Sequence, residues 1–126
     1  MYTIATQTDG DFEETLEKVT EELEKEGFGI LTEIDVQKTL KKKLDEDFRK
    51  YRILGACNPE LAHKAFEKEI SIGALLPCNV IVYEDSGKVF VEAADPEELL
   101  SVAENSELED IASEVKGRLE KVIEAI

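Results

Sequence analysis

The apolar residues of this chain follow two spacings, and each spacing predicts a different kind of element. In residues 2–8 apolar and polar side chains alternate, which predicts a half-buried strand. The next segment has the helical spacing, because its apolar residues recur at offsets of 0, 4, 7 and 11: Phe12, Leu16, Val19 and Leu23. We predict that this helix begins at Asp11, which forms a capping box with Glu14, and ends at Gly27.

Four further strands are predicted from short apolar runs between turn residues. They cover residues 28–35, 51–57, 78–84 and 88–94. In the second strand of the chain, alternation places Phe28, Ile30 and Ile34 on one face. The fourth strand is apolar on both faces, so we expect it to be central or covered. The residues Asp85-Ser86-Gly87 predict a tight hairpin turn between the fourth and fifth strands.

Four more helices are predicted where a short polar residue precedes an apolar stripe. Their N-caps are Asp35, Asn58, Asp95 and Ser106. Pro follows Asn58 and Asp95, and it suits the first helical position because its missing N–H needs no partner there. The helix after Asp35 carries the stripe Val36, Leu40 and Leu44. The last helix is expected to start with a Ser106–Glu109 capping box and carries the stripe Leu108, Ile111, Val115, Leu119, Val122 and Ile126. Residues 70–77 are expected to form an apolar linker.

The element order predicts an α+β protein with a single domain over residues 1–126. We expect helices packed on a curved, mainly antiparallel sheet of about five strands, in the order β-α-β-α-β-α-β-β-α. The chain has no glycine-rich phosphate loop, because its "GFG" at residues 27–29 follows a helix rather than a strand. A dinucleotide-binding fold is therefore not expected.

The charge is uneven along the chain. The net charge of −15 argues against general nucleic-acid binding, which requires cations against phosphates. Residues 38–52 nevertheless hold seven basic and three acidic residues. This segment is either a solvated face that complements acidic neighbours, including those of another subunit, or a site for a small anionic ligand. The candidate anion patch consists of Lys41, Lys42, Lys43, Arg49 and Arg52.

The compartment is inferred from what the sequence contains. The beginning of the chain, "MYTIATQTDGDF", has neither a basic start nor an apolar signal core. No apolar run approaches the length of about 18 residues that a membrane span needs. We expect a cytoplasmic protein without a membrane partner, in which the two cysteines are reduced.

The two cysteines are the main candidates for chemistry, because Cys57 is expected to end the third strand and Cys78 to begin the fourth. They are interpreted either as buried packing residues or as one of three kinds of site. A redox couple needs the two Cα atoms within about 7 Å of each other. A metal site needs further ligands, with His63 as the candidate third. A nucleophilic thiol is favoured at Cys57, because the next helix begins beside it.

Two stretches of the chain resemble a known family. These are "YRILGACNPELAHKAF" and "IGALLPCNVIVYED", with the motifs Cys57-Asn58-Pro59 and Leu76-Pro77-Cys78-Asn79. They resemble the domain-of-unknown-function family 302, and the resemblance extends over nearly the whole chain. It implies a fold like that of the TATA-box-binding protein, with helices on a curved antiparallel sheet, and a homodimer. It implies no established chemistry.

These observations lead to two functional hypotheses. The first is a small homodimeric binding or interaction module without demonstrated catalysis, and the second is a thiol-based redox, sulfur-handling or metal-binding protein that uses Cys57 and Cys78. The sequence does not decide which cofactor, if any, the protein binds, or whether it is an enzyme.

Overall fold

A computed structural model describes residues 2–126, which form five strands and five α-helices. The strands are β1 (Thr3–Thr8), β2 (Gly29–Asp35), β3 (Tyr51–Cys57), β4 (Cys78–Asp85) and β5 (Lys88–Ala94). The helices are α1 (Phe12–Lys25), α2 (Val36–Leu44), α3 (Pro59–Lys68), α4 (Pro96–Leu100) and α5 (Glu109–Glu124). No helix in residues 2–126 combines the length and the apolar character that crossing a bilayer requires.

The five strands form one open sheet in the order β1-β5-β4-β3-β2, and every neighbouring pair is antiparallel. The α+β fold class predicted from the sequence is therefore confirmed. The fourth strand, which is apolar on both faces, lies at the centre of the sheet between β3 and β5.

Four of the five predicted helix starts, at Asp11, Asp35, Asn58 and Asp95, and the hairpin turn follow local chemistry as predicted. The Asp11 carboxylate accepts a hydrogen bond from the Glu14 amide at 3.1 Å, which satisfies one of the free N–H groups at the start of α1. The Asn58 side chain does the same for the Leu61 amide at 3.2 Å. Ser86 and Gly87 have φ angles of 52° and 80°, as a two-residue hairpin turn requires.

The core lies on one face of the sheet, beneath α1, α3 and α5. Alternate residues of the central strands point into it and are almost completely buried: Leu54, Ala56, Val80, Val82, Val89, Val91 and Ala93. The predicted stripes of α1 and α5 pack against them, with Val19, Leu23 and Leu119 fully buried. The stripe of the final helix is thus part of the core.

A β-bulge corrects the face predicted for Ile34. The β2–β3 register shifts between Ile30 and Thr32, so that Ile30 pairs with Ala56 on the helix side while Ile34 pairs with Ile53 on the other side. The extra residue reverses the alternation. Ile34 therefore does not share a face with Phe28, and its side chain is 47% exposed.

Two further local predictions differ from the structure. The Ser106–Glu109 capping box does not form, because Asn105 caps a short 3₁₀ helix, Ser106–Leu108, that leads into α5. The segment predicted as an apolar linker contains a 3₁₀ helix, Ile70–Leu75, in which Ile72 is buried. Both segments fold against a second apolar cluster formed by Ala65, Ile72, Leu100, Leu108 and Ala112.

Two leucines in helices test how much the core contributes to stability. Replacing the buried Leu119 with Ala leaves a cavity and should lower the free energy of unfolding by about 2–5 kcal/mol. Leu44→Ala is the matched control, because Leu44 also lies in a helix but is 65% exposed, and its effect should be within about 0.5 kcal/mol. Urea denaturation followed by circular dichroism measures both. Equal losses would contradict the assignment of the core.

Candidate functional site

The face of the sheet opposite α1, α3 and α5 carries large apolar side chains that are half-buried or exposed. One row across this face consists of Ile34, Ile53 and Ile81, which are paired in register. A second row consists of Tyr51, Tyr83 and Phe90. A solvated sheet face normally carries polar residues. We call these six side chains, three in each row, the open face.

The aromatic row of the open face is a stacked ladder. The rings of Tyr51 and Tyr83 are 5.3 Å apart between centroids with an interplanar angle of 13°, and the rings of Tyr83 and Phe90 are 5.3 Å apart at 8°. Phe48, which precedes β3, extends the ladder with its centroid 6.1 Å from that of Tyr51 and remains 40% exposed. Such stacking restricts the rings and makes the surface rigid.

Glu92 is a charged residue beside the apolar side chains of the open face, and it pairs with Ile81 in the register. Its carboxylate accepts hydrogen bonds from the hydroxyls of Thr3 and Tyr83. The hydrogen bond to Glu92, together with desolvation, raises the pKa of Tyr83 to about 12. Desolvation, followed by the charge of Glu92, also raises the pKa of Tyr51. Both tyrosines therefore stay protonated at neutral pH and present neutral rings on the open face.

The open face was not identified from the sequence, although a signal for it was present. Tyr51 and Ile53 are two residues apart in β3, as are Ile81 and Tyr83 in β4, so each pair lies on one face of its strand. The outward positions of both strands are therefore as apolar as the inward positions. Only the fourth strand was interpreted in this way. The contribution of Ile34 depends on the bulge, which the sequence did not indicate.

The thiols lie at the end of the sheet where β3 passes into α3. Cys78 is buried and Cys57 is partly exposed, and both are free thiols. They border one cavity of about 30 Å³, which is otherwise lined mainly by apolar side chains. A water molecule occupies about 30 Å³ of liquid, so the cavity is too small for a substrate.

The electrostatics of both thiols disfavour the thiolate. Burial raises the pKa of Cys57, and burial, followed by the proximity of Cys57, raises the pKa of Cys78 to about 11. The start of α3 was expected to lower the pKa of Cys57, but the loss of solvation is the larger effect. These environments suit packing rather than nucleophilic chemistry.

The predicted metal ligands are not brought together. The side chain of His63 is 78% exposed on α3, where its Nδ1 lies 3.6 Å from Glu67. Nowhere in the described part of the chain do three His, Cys, Asp or Glu side chains form a group that could hold a metal ion. The set of Cys57, His63 and Cys78 therefore has no support from the geometry.

The candidate anion patch is largely neutralised by carboxylates of the same chain. Arg52 lies among Glu33 at 3.2 Å, Asp35 at 3.3 Å and Glu13 at 3.9 Å. Arg49 binds Asp85 at 2.9 Å.

Lys41 is also engaged, because it contacts Asp45 at 3.1 Å and Asp47 at 3.2 Å. Lys42 and Lys43 are exposed on the surface of α2. The five basic residues therefore do not offer five cations to one ligand.

Comparisons with known proteins agree with the fold. A family model described as domain of unknown function DUF302 matches residues 3–126. The structure is similar to the crystal structure of an uncharacterized conserved protein DUF302 from Bacillus stearothermophilus, with a TM-score of 0.93 and 28% sequence identity. The similarity covers 99% of this chain and 98% of that chain. No curated protein matches the sequence.

The first prediction from the site concerns thiol reactivity. We expect a disulfide reagent at neutral pH to leave Cys78 unmodified in the folded protein, and to modify Cys57 more slowly than in the denatured chain, because burial disfavours both thiolates. The single variants Cys57→Ser and Cys78→Ser assign the two rates. Faster reaction of Cys57 in the folded than in the denatured protein would support the thiol hypothesis instead.

The second prediction concerns alkaline stability. The pKa of Tyr83 is about 12 in the folded protein and about 10 when unfolded, so between these values the unfolded chain binds fewer protons. The free energy of unfolding should therefore fall as pH rises through this window, and Tyr83→Phe should reduce the slope. Urea denaturation at several alkaline pH values measures the dependence of the free energy of unfolding on pH. Tyr2→Phe, at an exposed tyrosine, is the control, and equal slopes in both variants would contradict the assignment.

Proposed function

The chain belongs to the family of domains of unknown function DUF302, and we propose that this member is a homodimeric interaction module. The open face of one copy packs on the open face of a second copy. The observation that supports this proposal is the alignment of six large apolar side chains, in two rows, on the sheet face opposite α1, α3 and α5. Ile34 is exposed there, and the other five side chains are half-buried.

Exposed apolar surface favours association because burying it removes it from water. Soluble monomers rarely expose contiguous apolar patches of more than a few hundred Å². The central part of the face carries no charge other than Glu92. Two copies can therefore approach through these rows despite a net charge of −15 each.

The size of the sheet sets an upper bound on the interface. Five strands spaced by about 4.8 Å are about 24 Å wide and strands of seven residues are about 23 Å long, so one whole sheet face measures about 550 Å². The open face is only part of this area, so a stable dimer, in which each partner buries roughly 800 Å², needs further contacts around its rim.

A second copy is the partner that symmetry favours. Twofold dimers bury the same patch on both subunits and are the commonest oligomers. A surface of isoleucine and stacked aromatic rings can pack on a second copy of itself without a special cavity. The aromatic ladder is held in place before binding, so little side-chain freedom is lost on association.

The thiol hypothesis has less support than the interaction module. Both thiols are free and have raised pKa values, and the cavity between them is about 30 Å³. We therefore propose a protein that acts by association, with Cys57 and Cys78 as packing residues.

Sedimentation velocity tests the dimer. We expect the wild-type protein to sediment with twice the mass of the chain at concentrations of about 10–100 µM, a range that detects affinities of biological strength. Ile81→Lys should yield a monomer, because each dimer would bury two additional cations. The new Lys would lie opposite Glu92 in the register, which favours retention of the fold.

The matched control is Ile70→Lys. Ile70 is 81% exposed in the 3₁₀ helix Ile70–Leu75, which is not part of the sheet. The Ile70→Lys variant makes the same chemical change outside the open face and should leave the dimer intact. A monomeric wild-type protein, or dimers of equal strength in both variants, would refute the proposal.

A further inference from the structure

Glu92 places a carboxylate beside the apolar rows of the open face. It lies two positions after Phe90 in β5, so both side chains point to the same side of the sheet. Its partners in the register are Ile81 of β4 and the exposed Ala5 of β1. The row continues from Ile81 to Ile53. The carboxylate therefore has apolar side chains on both neighbouring strands.

The chain gives this carboxylate two hydrogen bonds. The Thr3 hydroxyl donates to Oε1 at 2.9 Å, and the Tyr83 hydroxyl donates to Oε2. An ionised carboxylate accepts about four hydrogen bonds. Glu92 is half-buried, so water reaches its remaining acceptor positions in the single chain. A layer that covers the open face would remove this water.

The titratable groups around Glu92 do not compensate its charge. Tyr83 of β4 has a raised pKa, chiefly because of its hydrogen bond to Glu92, and desolvation raises the pKa of Tyr51 of β3. Both phenols are therefore neutral at neutral pH. From β1 the facing residues are Thr3 and Ala5, which carry no charge.

The cations at the hairpin end of this side of the sheet already contact other carboxylates. Lys88 of β5 lies 3.4 Å from Asp9, and Arg49, just before β3, lies 2.9 Å from Asp85. Within residues 2–126, no basic side chain forms an ion pair with Glu92. The negative charge of Glu92 thus depends on water for its stabilisation.

We infer that the open-face dimer takes up a proton at Glu92 of each copy when it forms, so that association strengthens as the pH falls. This inference rests on the proposed homodimer. A carboxylate that loses water without gaining a cation is more stable in its neutral form. The neutral acid fits the same position, because the Thr3 hydroxyl accepts its proton in a hydrogen bond while the Tyr83 hydroxyl donates to its other oxygen.

The first test is the affinity of the wild-type dimer at two pH values. A twofold dimer contains two Glu92 side chains, so it binds up to two more protons than two single chains, and its dissociation constant changes by up to about a hundredfold per pH unit. We expect association at least about tenfold tighter at about pH 5 than at about pH 7.5. Sedimentation equilibrium in about 0.5 M salt measures it, because salt screens the general repulsion between two acidic chains.

Matched variants assign the effect to one carboxylate. Glu92→Gln retains the size and an acceptor oxygen but cannot ionise. It should dimerise at least about tenfold more tightly than the wild type at about pH 7.5 and lose most of the pH dependence. Glu120→Gln is the control, because it removes the same charge from an exposed position on α5 and should keep the wild-type pH dependence. Circular dichroism shows whether both variants retain the fold.

Calorimetry of the unmodified protein counts the protons directly. The heat of dissociation on dilution, measured at about pH 6 in buffers with different ionisation enthalpies, gives the number of protons released per dimer. We expect a release of up to about two protons. A value of zero would overturn the inference, and this measurement does not depend on the folding of any variant.

The outcomes separate this inference from the homodimer itself. A wild-type dimer with equal affinity at both pH values would overturn the inference and leave the dimer standing. A dimer weakened by Glu92→Gln would also overturn it, because the second copy would then supply a cation to the carboxylate. A wild-type protein that is monomeric at both pH values would refute the homodimer and the inference together.

Discussion

The one-sided packing of helices on the sheet is the constraint on which the rest of the structure depends. A sheet has two faces, and α1, α3 and α5 cover one of them. On that face the valines of β4 and β5 exclude water together with the stripes of α1 and α5. The other face carries isoleucines and aromatic rings, which are half-buried or exposed. Burial of this apolar surface would lower the free energy, and the proposed association rests on that effect.

Several basic residues contact carboxylates of the same chain and join elements of the fold. Arg52 reaches carboxylates on both α1 and β2, and its guanidinium lies 5.9 Å from the Phe12 ring centroid. Lys116 joins α5 to α4 through Asp95 and Glu97, each at 3.0 Å. The hydrogen bonds to Asp95 and then to Glu97 also raise the pKa of Lys116. In a chain with twice as many acidic as basic residues, each such contact relieves repulsion between neighbouring carboxylates.

The Cys-Asn motifs have separate explanations in the structure. Asn58 caps α3 and also donates to the Glu26 carbonyl at 3.4 Å, which ties the end of α1 to the start of α3. Pro59 occupies the first turn of that helix. The cysteines fill space at the sheet end, where a thiol packs as a small apolar group. The Cys57-Asn58-Pro59 motif thus coincides with a junction of β3, α1 and α3.

The sequence by itself determined the elements of this protein, because caps, turns and periodic stripes depend on residues a few positions apart. Asp11, Asn58 and the Ser86-Gly87 turn act within four residues, and they were predicted correctly. The tertiary structure decided what depends on distant residues. Three features depend on such residues. The bulge in β2 places Ile34 on the opposite face from the predicted one, His63 does not join the thiols in one group, and three carboxylates surround Arg52.

The candidate site shows the same division. Adjacent ends of β3 and β4 were considered from the sequence, and Cys57 and Cys78 do border one cavity. The open face required the register that places Tyr51 beside Tyr83 and Tyr83 beside Phe90. Alternation along one strand indicates which residues share a face, but it cannot show which face the helices cover, because that choice is made by packing between segments far apart in the chain.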